Sequence, residues 1–181
     1  MEHKLENTIA LLERTPAALD ALLRGLPAEW TDSNEGHETW NVHGVLAHLI
    51  HCEHVDWMHR LRMILEFGEA RTFTPLDREG SARAGAGKML DQLLDEFAEQ
   101  RAKNLAEMRA LRLTPEDMNR RGMHPVFGSV TLSDFLATWP AHDLTHLHQI
   151  SRIMAHQCRE LVGPWVRFLG VMQCAGHSSQ A

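Results

Sequence analysis

His142-Asp143-Leu144-Thr145-His146 sets two imidazoles four residues apart in a run whose apolar pattern is helical. An α-helix turns about 100° per residue, so the two side chains lie about 40° apart on one face, one turn from each other. Two histidines placed this way can grip one divalent metal ion. The same spacing also arises in ordinary bundles, with one ring a hydrogen-bonded core residue and the other partly exposed. A third ligand decides between these readings, and His48, on an earlier helical stretch, is the candidate. It shares an apolar stripe with Val45 and Cys52, where an imidazole without a partner is costly. Three neutral imidazoles around one ion satisfy all three rings and leave a tetrahedral ion with one open position. Such an ion lowers the pKa of a bound water or thiol enough to make a nucleophile near neutral pH.

Around these residues, Gln149 falls about 20° from His142 and Trp139 about 60° from it, on the same face. Both are candidates to line a pocket or orient the ligands. Cys52 is one turn from His48. It could close the coordination as a fourth ligand, biasing the site towards zinc, or pack as a small hydrophobe, as buried thiols commonly do. Glu53 and Asp143 flank the ligands, where a carboxylate could orient an imidazole. Glu53, however, lies about 140° from His48, so a solvated position is expected. His43, His54 and His148 should point away, and His59 is about 16 Å along the helix axis from His48, too far for the same ion. There is no glycine-rich phosphate loop or dinucleotide fingerprint. Nothing in the spacing supplies a base to Cys158 or Cys174.

These residues need helices to hold them. The pattern is helical nearly throughout, with no alternating strand. Helix one is expected over 3–24, with Pro16 forcing a kink or a restart capped by Thr15. Residues 25–40 read as a loop. Helix two starts at the N-cap Asn41 and runs to Phe67, before Gly68. A polar connection covers 69–82, and helix three covers 83–111. Thr114-Pro115 opens one short helix, and 122–130 is a turn-rich loop. Helix four opens at Thr131, with Asp134 as the acid of a capping box, and runs to Cys158. A short apolar element, Trp165 to Val171, packs back. Four long helices without strands give an all-α four-helix bundle, in which metal sites form between facing helices.

At 181 residues the expectation is a single domain spanning 1–181, long enough for a substantial core. The net charge of −6 and the isoelectric point near 6.1 argue against a nucleic-acid partner, and no basic block addresses a membrane surface. No apolar run is long enough for a transmembrane helix, and the N-terminus lacks a signal-peptide profile. A cytoplasmic location follows by default. The three cysteines are widely spaced and read as free thiols. Tyrosine is absent, and of thirteen histidines nine fall within two predicted helices.

Three segments together resemble a known family: Trp40-Asn41-Val42-His43-Gly44-Val45-Leu46-Ala47-His48, then His124-Pro125-Val126-Phe127-Gly128, then Trp139-Pro140-Ala141-His142 through His146 to Gln149-Ile150. The sequence is similar to the DinB/YfiT-like metalloenzymes over nearly its whole length. The most specific piece is a Trp followed eight residues later by His, then the later His pair with Gln149-Ile150. The resemblance implies an up-down-down-up bundle, with 69–82 as the crossover between parallel helices two and three. It implies a divalent metal, zinc or nickel, held by His48, His142 and His146, and a homodimer. It further implies a metal-dependent transferase or isomerase acting on a small-molecule substrate, with a low-molecular-weight thiol such as bacillithiol or mycothiol as cosubstrate; with water at the open metal position instead, the expectation is a hydrolase. Asn41 stands where the family often has Ser or Thr, and all three cap helices. No residue identifies the thiol or its electrophile. A non-catalytic bundle whose helices a metal ion staples together is the alternative.

Overall fold

Asn41 and Thr131 start the two helices that matter most. Asn41 Oδ1 accepts from Gly44 N at 3.0 Å. Thr131 Oγ1 accepts from Asp134 N at 3.0 Å while Asp134 Oδ2 accepts from Thr131 N at 3.0 Å, a reciprocal capping box. The computed structural model describes residues 4–174. In order they form α1 (Leu5–Leu12), α2 (Arg14–Leu23), the single turn α3 (Ala28–Thr31), α4 (Val42–Val55), α5 (Trp57–Phe67), α6 (Arg78–Gly85) and α7 (Leu90–Ala110). An antiparallel hairpin, β1 (Arg121–His124) and β2 (Gly128–Thr131), leads into α8 (Leu132–His156). Short 3-10 turns at Gly163–Phe168 and Gly170–Met172 follow.

Four arms make the bundle: α1–α2, α4–α5, α7 and α8. Their directions follow from side-chain pairs. His54 meets Glu96, Glu53 meets Arg101, and Arg62 meets Glu107, so the second and third arms run parallel. Arg24 meets Asp95 while Glu13 meets Arg109, so the first and third are antiparallel. His48 meets His142 while Trp57 meets Trp139 and Phe135, so the second and fourth are antiparallel. The bundle is therefore up-down-down-up, and its parallel middle arms need the long crossover.

The apolar core is divided in two. One cluster holds Leu12, Trp57, Leu61, Ile64, Leu105, Met108, Phe135 and Trp139. The other holds Leu19, Leu23, Leu46, Ile50, Leu93, Phe97, Ile150 and Ile153. Between them, on the second, third and fourth arms, come buried polar groups: Glu53, Arg101, Asn104, Asp143, His146 and Gln149. A polar layer thus crosses the middle of the bundle, and the candidate site belongs to it.

The structure departs from the sequence expectations at several points. The break in the first arm falls at Glu13, and Thr15 is buried inside α2 rather than capping it. Pro16 has no N–H to offer the carbonyl four residues back; Arg101 Nη1 donates to that carbonyl, Leu12 O, at 2.9 Å. Helix two kinks at Asp56 (φ −109°, ψ −67°), dividing α4 from α5. The connection 69–82 contains the start of α6, capped by Asp77 Oδ1 accepting from Glu79 N at 3.0 Å. Helix three begins at Leu90, not at 83, because Gly87 breaks the chain with φ +71°. The loop expected at 122–130 is largely the hairpin, which Phe73 N ties to the body by donating to Met123 O at 2.8 Å. Gly122 is required there: a Cβ would lie 2.7 Å from both Ile64 and Phe73.

Candidate metal centre

α4 and α8 bring His48, His142 and His146 together across the bundle. His142 Nε2 lies 3.1 Å from His48 Nε2 and 3.1 Å from His146 Nε2. A single ring nitrogen carries one proton or one in-plane lone pair, so hydrogen bonding can satisfy only part of this convergence. Imidazole nitrogens held at about 2.0–2.1 Å by one tetrahedral ion stand about 3.3 Å apart. The three residues form a set that could hold a metal ion, and the spacing fits one.

The outer ring nitrogens support this. His146 Nδ1 lies 2.8 Å from Gln149 Oε1. An amide oxygen only accepts, so the proton sits on Nδ1 and the Nε2 lone pair faces the centre. His48 Nδ1 lies 3.3 Å from Ser81 Oγ on α6, which can play the same part. α6 comes that close because Gly80 and Gly85 face α4: a Cβ on Gly80 would lie 2.1 Å from His51 Cε1, and one on Gly85 would lie 2.7 Å from Ala47 Cβ. His142 Nδ1 is buried with no hydrogen-bond partner, and its ring meets Trp57 edge-on at 5.2 Å. Burial, then the neighbouring histidines, push the pKa of His48 down to about 3 and that of His142 well below the usual imidazole range. At neutral pH both offer lone pairs, as metal ligation demands.

Cys52 Sγ lies 3.6 Å from His48 Nε2 and is outside the converging set. Burial pushes its thiol well up, and Asp56 and Glu53 add to this. It is held as a neutral thiol beside the site. Trp139 is buried, stacked on Trp57 at 5.1 Å, and its Nε1 donates to Glu53 Oε1 at 3.0 Å. It supports the pocket wall from behind, while Trp57 itself faces the cleft. Trp40 covers the other side, 5.1 Å from the His48 ring.

Glu53 is not solvated as expected. Its side chain is fully buried, because α4 packs against α7 as well as α8 and so has two inward faces. Arg101 is the group the sequence did not mark. Its Nη1 donates to Asp143 Oδ2 at 2.7 Å, and its Nη2 to Asp143 Oδ1 at 2.9 Å and Glu53 Oε1 at 2.8 Å. Asn104 Nδ2 donates to Glu53 Oε2 at 3.0 Å. Glu53 and Asp143 therefore serve this network and do not orient the imidazoles. Burial opposes the Arg101 charge, but the two carboxylates outweigh it and raise its pKa. His43 is half-buried beside Asp32, and His54, His59 and His148 are exposed.

The DinB superfamily profile matches residues 11–150. The chain belongs to the DinB superfamily. Its fold is also that of a solved structure of YfiT from Bacillus subtilis, described as a probable metal-dependent hydrolase with an unusual four-helix bundle topology. The two share 20% identity and a TM-score of 0.70, with 90% of each chain covered. The comparison with curated proteins found no match. Among the described residues no helix is long and apolar enough to cross a membrane.

In this DinB bundle a cleft of about 280 Å³ opens beside His142, lined by Cys52, Trp57, Phe73, Phe135 and others. The hairpin forms part of its wall through His124, Phe127 and Val130, with Phe127 largely exposed at the tip.

Proposed function

We propose that this DinB protein holds one divalent metal ion, zinc or nickel, through His48, His142 and His146. In this reading it is an enzyme that activates a low-molecular-weight thiol, or water, for attack on a small electrophile. The observation that carries this reading is the convergence of three histidine ring nitrogens, one of them on His142 in the wall of a cleft that admits a small molecule. A divalent ion supplies Lewis acidity, which lowers the pKa of a water or thiol that ligates it. The protein does the rest. Gln149 and Ser81 hold the proton on the outer nitrogens of two rings. Trp40 and Trp57 enclose the rings and limit water. The apolar wall formed by Trp57, Phe73 and Phe135 gives the electrophile a place to rest. Cys52, held protonated, does not compete as the nucleophile.

Elemental analysis of tag-free protein tests the first half, beside folded His48→Ala and His146→Ala variants. About one zinc or nickel ion per chain is expected in the wild type and none in either variant. Activity is then read with bacillithiol, mycothiol or cysteine and an electrophilic arene, and separately with an ester. Turnover lost in His48→Ala supports the enzyme. A bound ion without turnover of either kind would leave a metal that only staples α4 to α8. No ion in a folded wild type after reconstitution would end the reading.

A further inference from the structure

Arg60 lies on the wall of the cleft, away from the three histidines. His48, Cys52, Asp56 and Arg60 follow one another at intervals of four along the second arm, so one face runs from the candidate metal centre past the kink to this cation. The Arg60 side chain is only 12% exposed, among Trp57, Phe73 and Phe135. Its guanidinium sits over the Phe73 ring at 5.5 Å.

The hydrogen bonding of this arginine is incomplete. Nε lies 2.7 Å from Asp56 Oδ1 without forming a hydrogen bond. Nη2 donates to Thr74 O at a long 3.4 Å. Among the described residues nothing accepts from Nη1. Arg101 differs at the terminal nitrogens: its Nε is likewise without a hydrogen-bond partner, but Nη1 and Nη2 are both taken, by Asp143, Glu53 and Leu12 O, in a place closed to solvent. Arg101 is a structural cation. An ion pair four residues apart contributes little at a surface, and burying it forfeits hydration, so the pair with Asp56 adds little net stability and leaves the unused Nη1 unexplained. A second donor faces the same space. His124 Nδ1 accepts from Val126 N and Phe127 N, both at 3.2 Å, which leaves the neutral ring with its proton on Nε2.

We infer that this cleft binds a small organic carboxylate with an aromatic or similarly flat apolar body, the carboxylate taken by Arg60 and the body held against Trp57, Phe73 and Phe135. A guanidinium with a free edge matches a carboxylate through two parallel N–H···O bonds. Phe135 lies 5.6 Å from Trp57 and 6.2 Å from Phe73, ring to ring, so the wall is continuous aromatic surface. A volume of about 280 Å³ suits a molecule of single-ring size. The inference rests on the metal-centre reading for one point only: the end of the molecule facing His142 is the reacting end.

The test is calorimetric binding of 3-phenylpropionate, phenylacetate and benzoate, each beside its neutral amide, to chelator-treated and to metal-loaded protein. At least one acid is expected to bind roughly tenfold or more tightly than its amide. Arg60→Gln should abolish that preference in both forms of the protein, and Arg60→Lys should keep part of it. The wild-type comparison of acid with amide does not depend on any variant folding. Equal binding of acid and amide would overturn the inference, as would no binding of any acid up to millimolar concentration. A preference that survives Arg60→Gln but vanishes on chelation or in His142→Ala would also overturn it, by placing the carboxylate on the metal, while leaving the metal centre intact. A preference that depends on Arg60 in protein that binds no metal would sustain it and sink the metal-centre reading instead.

Discussion

Gln149 and Ser81 touch no substrate and bind no metal in this reading, yet each decides where a ligand ring keeps its proton. With Gln149 Oε1 at 2.8 Å, His146 is locked in one tautomer and one orientation. The 3.3 Å contact from Ser81 is longer and the lock correspondingly looser. Loss of such outer partners commonly lowers metal affinity about 10–100-fold. Gln149→Leu should fall within that range and Ser81→Ala nearer its lower end, measured by competition with a chromophoric chelator. Affinities unchanged in both variants would mean the rings are fixed by packing alone. His48 titrates near 6.5 when unfolded and near 3 when folded, chiefly because it is buried. Below about pH 6.5 the unfolded chain therefore takes up a proton that the folded chain refuses. The metal-free protein should be most stable above that pH and lose stability steadily as pH falls towards 3, read as a falling urea midpoint. His48→Gln, which cannot titrate, should flatten the slope between pH 6.5 and 4.

At the scale of elements, Arg101 joins all four arms: Leu12 O from the first, Glu53 from the second, its own helix α7, and Asp143 from α8. Arg101→Met would leave two buried carboxylates without their cation, and breaking a buried pair from one side costs about 3–5 kcal/mol. Urea unfolding of metal-free Arg101→Met should show a loss of that order, and a loss under about 1 kcal/mol would mean water reaches the carboxylates. This network also marks the limit of what the sequence discloses. Helix four, its Thr131–Asp134 box and the cap at Asn41 are local chemistry, readable because each partner lies within three residues. Helical spacing puts His142 and His146 on one face and His48 on an apolar stripe; that the stripe meets the pair follows only from the resemblance, and in the structure the three rings converge. The angle of Glu53 from His48 points to solvent only if α4 buries one face, and α4 buries two, against α7 and α8. Nothing in the sequence marks Ser81, because it belongs to α6, whose approach depends on Gly80 and Gly85 meeting α4 from across a long connection. The hairpin leaves no local signal for a related reason. Arg121–His124 and Gly128–Thr131 carry no alternating apolar pattern, and their strand character comes from pairing with each other and with Thr72–Phe73.

For the whole molecule, the trihistidine set stitches together segments 94 residues apart, His48 on the second arm and His142 on the fourth. These arms are antiparallel neighbours, with the set lying where the two apolar clusters meet. An ion bound there by the folded chain, and much more weakly by the unfolded one, stabilises the entire bundle by mass action. At free metal about one hundred times the dissociation constant the gain is about 2.7 kcal/mol. For a chain of this size that raises the melting temperature by about 5–11 °C. Calorimetric scans of chelator-treated protein with and without added zinc or nickel should show this rise. His142→Ala should show none, because removing the central ring leaves His48 and His146 without the nitrogen that each of them faces. Adding metal to His142→Ala is therefore the sharper comparison: a melting temperature that climbs as far as in the wild type would place the stabilising ion elsewhere on the chain, and the polar layer would then be a structural seam rather than a metal centre.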